Sequence, residues 1–376
     1  MQTAGDVCGG RDTRHLTAKT TTARSGGSPA QERLSAGPNH LRMSERIGFL
    51  GIGAMGRPMA SNLLRRGFSV TTAVHRREDP VRALEALGAR IAPSHGDLIR
   101  DAAVIVACVP TSAEVEEIVL GPSGVLEAAR DGAIFVDMGT SRPASTRMLA
   151  GRLKARRIAM VDAPITGGVR GATEGTLTIY VGGEDEAVAR VRPALEAMGR
   201  TVMHMGPPGA GHVTKLLNQM LSQGSMALLA EVLPLGVRLG LDPARMIEAL
   251  SAGSGATFAI PARGARILNN DFAPSFRLEL GHKDLRLARE LAEDVHHEPP
   301  MTAGALMTYE MARGLGLDGE DTAALVKVWE RLLDVEVRGQ AGAAGIGFGA
   351  KGTAPPADGG RSAGQSSPSG EDVAAR

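Results

Sequence analysis

The chain has 376 residues, 43% of them hydrophobic but only 3% aromatic, so it can bury two or three cores built from Leu, Val, Ile, Met and Ala. Lys and Arg total 42 against 41 Asp and Glu, and this net charge of +1 excludes a nucleic-acid polyanion as the main partner. Two widely separated cysteines, Cys8 and Cys108, argue against a disulfide framework and a zinc site, so a reducing, cytoplasmic setting is expected. No apolar run reads as long enough to span a bilayer.

Residues 1–42 are rich in Thr, Ser, Gly, Arg and Ala and read as a disordered extension. Their Arg and Ser content has some character of a transit peptide, which Asp6, Asp12 and Glu32 oppose. Met43 looks like a natural start, because an apolar strand follows at Arg46–Leu50. Gly51, Ile52, Gly53, Ala54, Met55 and Gly56 come next. A helical pattern through Met59, Leu63 and Leu64 stops at Gly67, and residues 68–74 form a second strand. Strand, GxGxxG, helix, strand is the context a dinucleotide fingerprint requires. Gly51 permits the tight turn, Gly53 lets the backbone approach a pyrophosphate, and Gly56 lets the helix pack close to the sheet. The helix N-terminus then offers N–H groups to phosphates.

The second strand ends in Ala73, Val74 and His75 with no acid at its tip. Arg76 and Arg77 follow and can pair with a 2′-phosphate, so NADP is the preferred cofactor with NAD possible. The alternative is two solvated arginines on a loop. Asp79 and Pro80 open a helix ending near Gly88. Further strands are expected at residues 104–109, 133–138, 158–161 and 176–181, with a helix over 184–198. Such alternation predicts an α/β, doubly wound sheet that takes its ligand at the carboxyl ends of its strands, where Val109, Pro110 and Thr140 fall. The strand signal disappears after Val202. Residues 206–211 (GPPGAG) form a hinge, and helices are expected from there to about 335, with Pro234 kinking or interrupting the first. The expected domains are therefore a dinucleotide-binding Rossmann domain over 43–205 and an all-helical domain over 206–338. A Gly-, Ala-, Ser- and Pro-rich disordered tail covers 339–376.

Three stretches outside the fingerprint can carry chemistry. In residues 162–183 (DAPITGGVRGATEGTLTIYVGG), Thr166, Gly167 and Gly168 offer a hydroxyl and backbone N–H groups suited to a carboxylate. Alone, they also fit an ordinary glycine-rich turn. In the long helix after the hinge, Lys215, Asn218, Gln219 and Ser222 recur at helical spacing, so an ammonium and two amides share a face. Alone, that is also a solvated stripe. In residues 276–288 (FRLELGHKDLRLA), Lys283 and Asp284 interrupt an apolar helical pattern. The plain alternative there is a surface ion pair.

Together with FLGIGAMGRPMASNL and GAGHVTKLLNQ, these stretches resemble the β-hydroxyacid dehydrogenases. That is the group of 3-hydroxyisobutyrate dehydrogenase and tartronate semialdehyde reductase, related to 6-phosphogluconate dehydrogenase. The resemblance covers about residues 45–335, with four motifs in order. It implies an NAD(P)-dependent oxidoreductase that interconverts a small 3-hydroxy acid and its semialdehyde or keto acid, with a small carboxylate as substrate. It puts Lys215 on the family's catalytic lysine, and Thr166, Gly167, Gly168 and Asn218 on substrate-binding positions, with Gln219 beside them. Lys283 falls on a lysine that closes over the cofactor, and Val109, Pro110 and Thr140 fall near the nicotinamide. It also implies a homodimer or homotetramer formed through the helical domain. Thr166 stands where serine is usual, Gln219 where many relatives have Asn, and His282 is also uncommon; these departures bear on the substrate. An imine reductase and a non-catalytic scaffold share the fold, but both usually lack the lysine.

Overall fold

The computed structural model describes residues 41, 45–75 and 78–339. The expected tails therefore fall outside the described residues, except Leu41 and Gly339. The strands are β1 (Arg46–Leu50), β2 (Ser69–Ala73), β3 (Arg90–Ala92), β4 (Val104–Ala107), β5 (Ile134–Asp137), β6 (Ala159–Asp162), β7 (Ile165–Thr166), β8 (Leu177–Gly182) and β9 (Gly199–Gly206). Interleaved with them are α1 (Gly56–Arg65), α2 (Asp79–Glu85), α3 (His95–Asp101), α4 (Ser112–Leu120), α5 (Val125–Ala128), α6 (Pro143–Lys154), α7 (Gly168–Glu174) and α8 (Asp185–Met198). After them come α9 (Ala210–Arg238), α10 (Pro243–Ala252), α11 (Ala259–Leu268), α12 (Leu278–Glu293), α13 (Pro300–Gly314) and α14 (Val326–Leu333).

The sheet runs β3-β2-β1-β4-β5-β6-β8-β7, with β9 paired to β8. From β3 to β6 every pairing is parallel, and the order reverses between β1 and β4, the switch point at which doubly wound sheets take a ligand. The central strands are buried on both faces, as parallel strands covered by helices must be. Phe49, Val106 and Val136 enter one core, while Leu50, Ile105 and Phe135 enter the core on the other face. This is a Rossmann-type domain followed by an all-helical one, whose own core gathers Leu229, Leu233, Ile247, Leu285 and Tyr309.

Several local expectations are corrected. The strand signal does not end at Val202: β9 continues to Gly206 beside β8, although its exposed Met203 and Met205 lack a buried pattern. Short β3 and β7 carry too few residues to show a period. α9 is not interrupted at Pro234, which is buried within the continuous helix. α9 is also long and apolar enough, by length and composition, to cross a bilayer. Only intermittent polar residues hid this in the sequence, and Met226, Leu229, Ala230 and Leu233 of this helix form the centre of the helical core. Finally, Leu41 lies before the expected start yet is buried in the sheet core, and its N–H donates to the Arg190 carbonyl at 3.1 Å.

Candidate active site

The turn after β1 has the shape a dinucleotide needs. Gly51 holds φ +86°, and a Cβ there would stand 2.3 Å from the Cys108 carbonyl oxygen. A Cβ on Gly56 would stand 2.0 Å from the Gly51 carbonyl oxygen, so α1 can start this close to β1 only without a side chain. A Cβ on Gly53 would meet nothing within 4 Å, so this position faces open space. Ile52 and Met55 pack on the core, whereas Gly53 and Ala54 are exposed. No side chain caps α1, and its first turn holds exposed Arg57 and no acid. A positive helix end without a side-chain cap and an open glycine together fit a pyrophosphate. Arg76 and Arg77 lie outside the described residues.

Val109 and Pro110 follow β4, and Thr140 follows β5, at the carboxyl ends of neighbouring parallel strands. The loop after β5 is held by buried Asp137, which accepts from Gly139 N at 2.8 Å and from Ser141 Oγ at 2.7 Å. Lys283 of α12 reaches across from the helical domain. Its ammonium donates to the Pro110 carbonyl at 2.8 Å and the Thr140 carbonyl at 2.9 Å, and pairs with Asp284 Oδ1 at 3.1 Å. Three of the expected positions thus meet at one nitrogen.

The start of α9 is pressed against the sheet. A Cβ on Gly211 would come within 2.6 Å of the Tyr180 carbonyl oxygen and 2.8 Å of that of Asp162. α9 has no cap of its own, since Gly209 precedes it. Asp162 of β6 supplies one, accepting from Gly209 N at 2.6 Å and His212 N at 2.8 Å. His212 is fully buried between Asp137 and Asp162, 3.6 and 3.7 Å away, with Thr146 Oγ1 at 2.8 Å from its Nδ1.

One turn into α9, Lys215 is 6% exposed and donates to Gln219 Oε1 at 3.0 Å. Burial pushes its ammonium down to about 8; the Asp284 carboxylate opposes this and Lys283 adds to it. Gln219 Nε2 donates to Asp284 Oδ2 at 2.7 Å, and Asn218 Nδ2 donates to Gln219 Oε1 at 3.2 Å. Asn218 Oδ1 accepts from the Tyr180 hydroxyl at 3.3 Å.

Lys215, Asn218, Gln219, Lys283, Pro110 and Thr140 therefore belong to one hydrogen-bonded network. Thr166, Gly167 and Gly168 lie one strand away, the two glycines at φ +125° and +63°. They connect to the network through the pairing of Thr166 with Thr178 on β8 and through Tyr180. His282 turns away from it toward Arg313. Sequence reasoning missed Asp162, His212 and Tyr180 as parts of the site. It also left Asp284 open as a surface residue, whereas it is 3% exposed. An acid ending a buried strand ahead of a glycine-led helix was the available signal for Asp162.

A family profile described as the NAD binding domain of 6-phosphogluconate dehydrogenase matches residues 46–206. A second, described as NAD-binding of NADP-dependent 3-hydroxyisobutyrate dehydrogenase, matches residues 209–329. The chain is 40% identical over 300 residues to 2-(hydroxymethyl)glutarate dehydrogenase of Eubacterium barkeri, covering 80% of this chain and 99% of that one. It is 35% identical to an NAD-dependent L-serine dehydrogenase of Pseudomonas aeruginosa, covering 76% of this chain and 98% of the relative. The crystal structure of a 3-hydroxyisobutyrate dehydrogenase from Salmonella typhimurium superposes with a TM-score of 0.70 at 27% identity, over 76% of this chain and 99% of that one. By its matched profiles, its relatives and its shared fold, the chain belongs to the β-hydroxyacid dehydrogenase family.

Proposed function

We propose that the chain is an NAD(P)-dependent oxidoreductase that interconverts a small 3-hydroxy acid and its semialdehyde or keto acid, with Lys215 as general acid and base. The observation that carries this reading is a buried lysine, its pKa lowered to about 8, in one hydrogen-bonded network with Lys283, which reaches the strand ends at Pro110 and Thr140. When bound, the nicotinamide takes or gives the hydride. In oxidation, the neutral Lys215 amine accepts the C3 hydroxyl proton; in reduction, the ammonium returns it to the carbonyl oxygen. Gln219 Oε1 holds the amine in place, and Asp284 holds Gln219. Thr166, Gly167 and Gly168 receive the substrate carboxylate, and Asn218 helps orient the acid. Gly51, Ile52, Gly53, Ala54, Met55 and Gly56 cradle the pyrophosphate, while Val109, Pro110, Thr140 and Lys283 border the nicotinamide end.

NADP is the preferred cofactor and NAD a possible one, because β2 ends without an acid and Arg76 and Arg77 follow. The assembly is a homo-oligomer. Leu217, Leu221, Leu228 and Leu235 are exposed at four- and seven-residue spacing, so they share one face of α9, and exposed Leu239 follows at its C-cap; the face suits a second copy of the helix. A cytoplasmic compartment suits the free thiol of Cys108. The reading is tested with a panel of 3-hydroxy acids and their semialdehydes, each with both cofactors, followed by reduced-nicotinamide absorbance. Turnover of at least one pair, faster with NADP, is expected; a folded protein that binds cofactor but turns over none contradicts it.

A further inference from the structure

Tyr180 enters no part of the proton transfer, yet its hydroxyl ends the network that begins at Asp284. The polarity of that network has one solution. A carboxylate only accepts, so Gln219 must turn its NH₂ to Asp284 Oδ2, at 2.7 Å, and its Oε1 toward Lys215 and Asn218. Asn218 must then turn its own NH₂ to Gln219, which leaves its Oδ1 facing Tyr180 at 3.3 Å. The phenol has one hydrogen, and Asn218 Oδ1 takes it. What Tyr180 has left for a ligand is the lone pairs on its oxygen, which only accept.

Its position gives those lone pairs an address. Along β8, Leu177, Ile179 and Val181 are buried while Thr178 and Tyr180 are half-buried, so the last two share the face toward the site. Thr178 pairs with Thr166 at the carboxylate turn, and Tyr180 bonds Asn218, one turn beyond Lys215. In a 3-hydroxy acid whose carboxylate lies at Thr166 and whose C3 oxygen lies at Lys215, the carbon between them is C2.

We infer that Tyr180 is a specificity-determining residue, accepting a hydrogen bond from a donor on substrate C2, so that the site favours a hydroxyl or ammonium there over a methyl group. This rests on the hydroxy-acid reading above. Glycerate and 3-hydroxyisobutyrate differ at C2 only by hydroxyl against methyl, which makes them the probes. Their dissociation constants are measured by calorimetry on the cofactor-saturated protein, for wild type and Tyr180→Phe, using both enantiomers of each acid. Wild type should bind the better glycerate enantiomer more tightly, and Tyr180→Phe should erase about tenfold of that preference without lowering Tm. Should the Phe variant fold poorly, Tyr180→Met also lacks the hydroxyl and gives the same readout. A preference unchanged in the variant, or a wild type that favours the methyl acid, overturns the inference. If neither acid is turned over but the preference and its loss are seen, Tyr180 keeps this role and the hydride-transfer reading falls instead.

Discussion

Asp162 accepts a hydrogen bond from the backbone N–H of Gly209 at 2.6 Å, so an acid at the end of a sheet strand caps the helix that carries Lys215. The negative charge faces the positive end of a 29-residue helix and receives a second bond from His212 N. Asp162→Asn keeps the volume but loses the charge and places an NH₂ against one of the two donors. We expect a loss of about 1–3 kcal/mol in urea denaturation. We also expect lower kcat in the folded fraction, with cofactor affinity kept. Unchanged stability would show that the helix start is held by packing alone.

The position of Lys215 sets the pH dependence. With its pKa lowered to about 8, the amine is neutral above that value and charged below it. Oxidation needs the neutral amine, so kcat/KM for the hydroxy acid should rise with pH and level off above about 8. Reduction needs the ammonium, so kcat/KM for the semialdehyde should be flat below about 8 and fall above it. Opposite limbs sharing one apparent pKa are the expected result; limbs near the ordinary lysine value would deny the effect of burial.

The leucine face of α9 predicts its own disruption. Leu221 and Leu228 are 78% and 58% exposed, seven residues apart. Leu221→Glu with Leu228→Glu should shift a dimer or tetramer toward monomer in light scattering at micromolar concentration. A wild type that is already monomeric would remove the proposed assembly.

Leu41 adds a buried side chain to the sheet core ahead of the expected start at Met43. It is 5% exposed in the sheet core, so a chain starting at Met43 loses its burial. That start should cost about 1.5–3 kcal/mol relative to one beginning a few residues before Leu41, read from denaturation midpoints. Equal midpoints would mean that Leu41 contributes nothing to stability.

What could be read in the sequence was what is local. The strand, GxGxxG and helix from Arg46 to Arg65 carry their own period and turn chemistry, and Lys215, Asn218 and Gln219 share a helix face by spacing alone. The tertiary partners could not be read. Asp284 looked like half of a surface ion pair, because only the packing of α12 on α9 buries it against Gln219. Tyr180 and Asp162 sit 38 and 50 residues from the α9 atoms they bond. β9 escaped because its side chains are mostly exposed and its order comes from pairing with β8.

The most direct test of the mechanism is Lys215→Ala, measured for turnover, cofactor binding and Tm on the same preparation. General acid–base catalysis contributes about 10²–10⁴-fold, and turnover should fall by that much. Cofactor affinity should hold, because the pyrophosphate turn lies at Gly51, Gly53 and Gly56. Lys215→Arg should restore little, since a guanidinium does not release its proton near neutral pH. Near wild-type turnover in a folded Lys215→Ala protein would contradict the account.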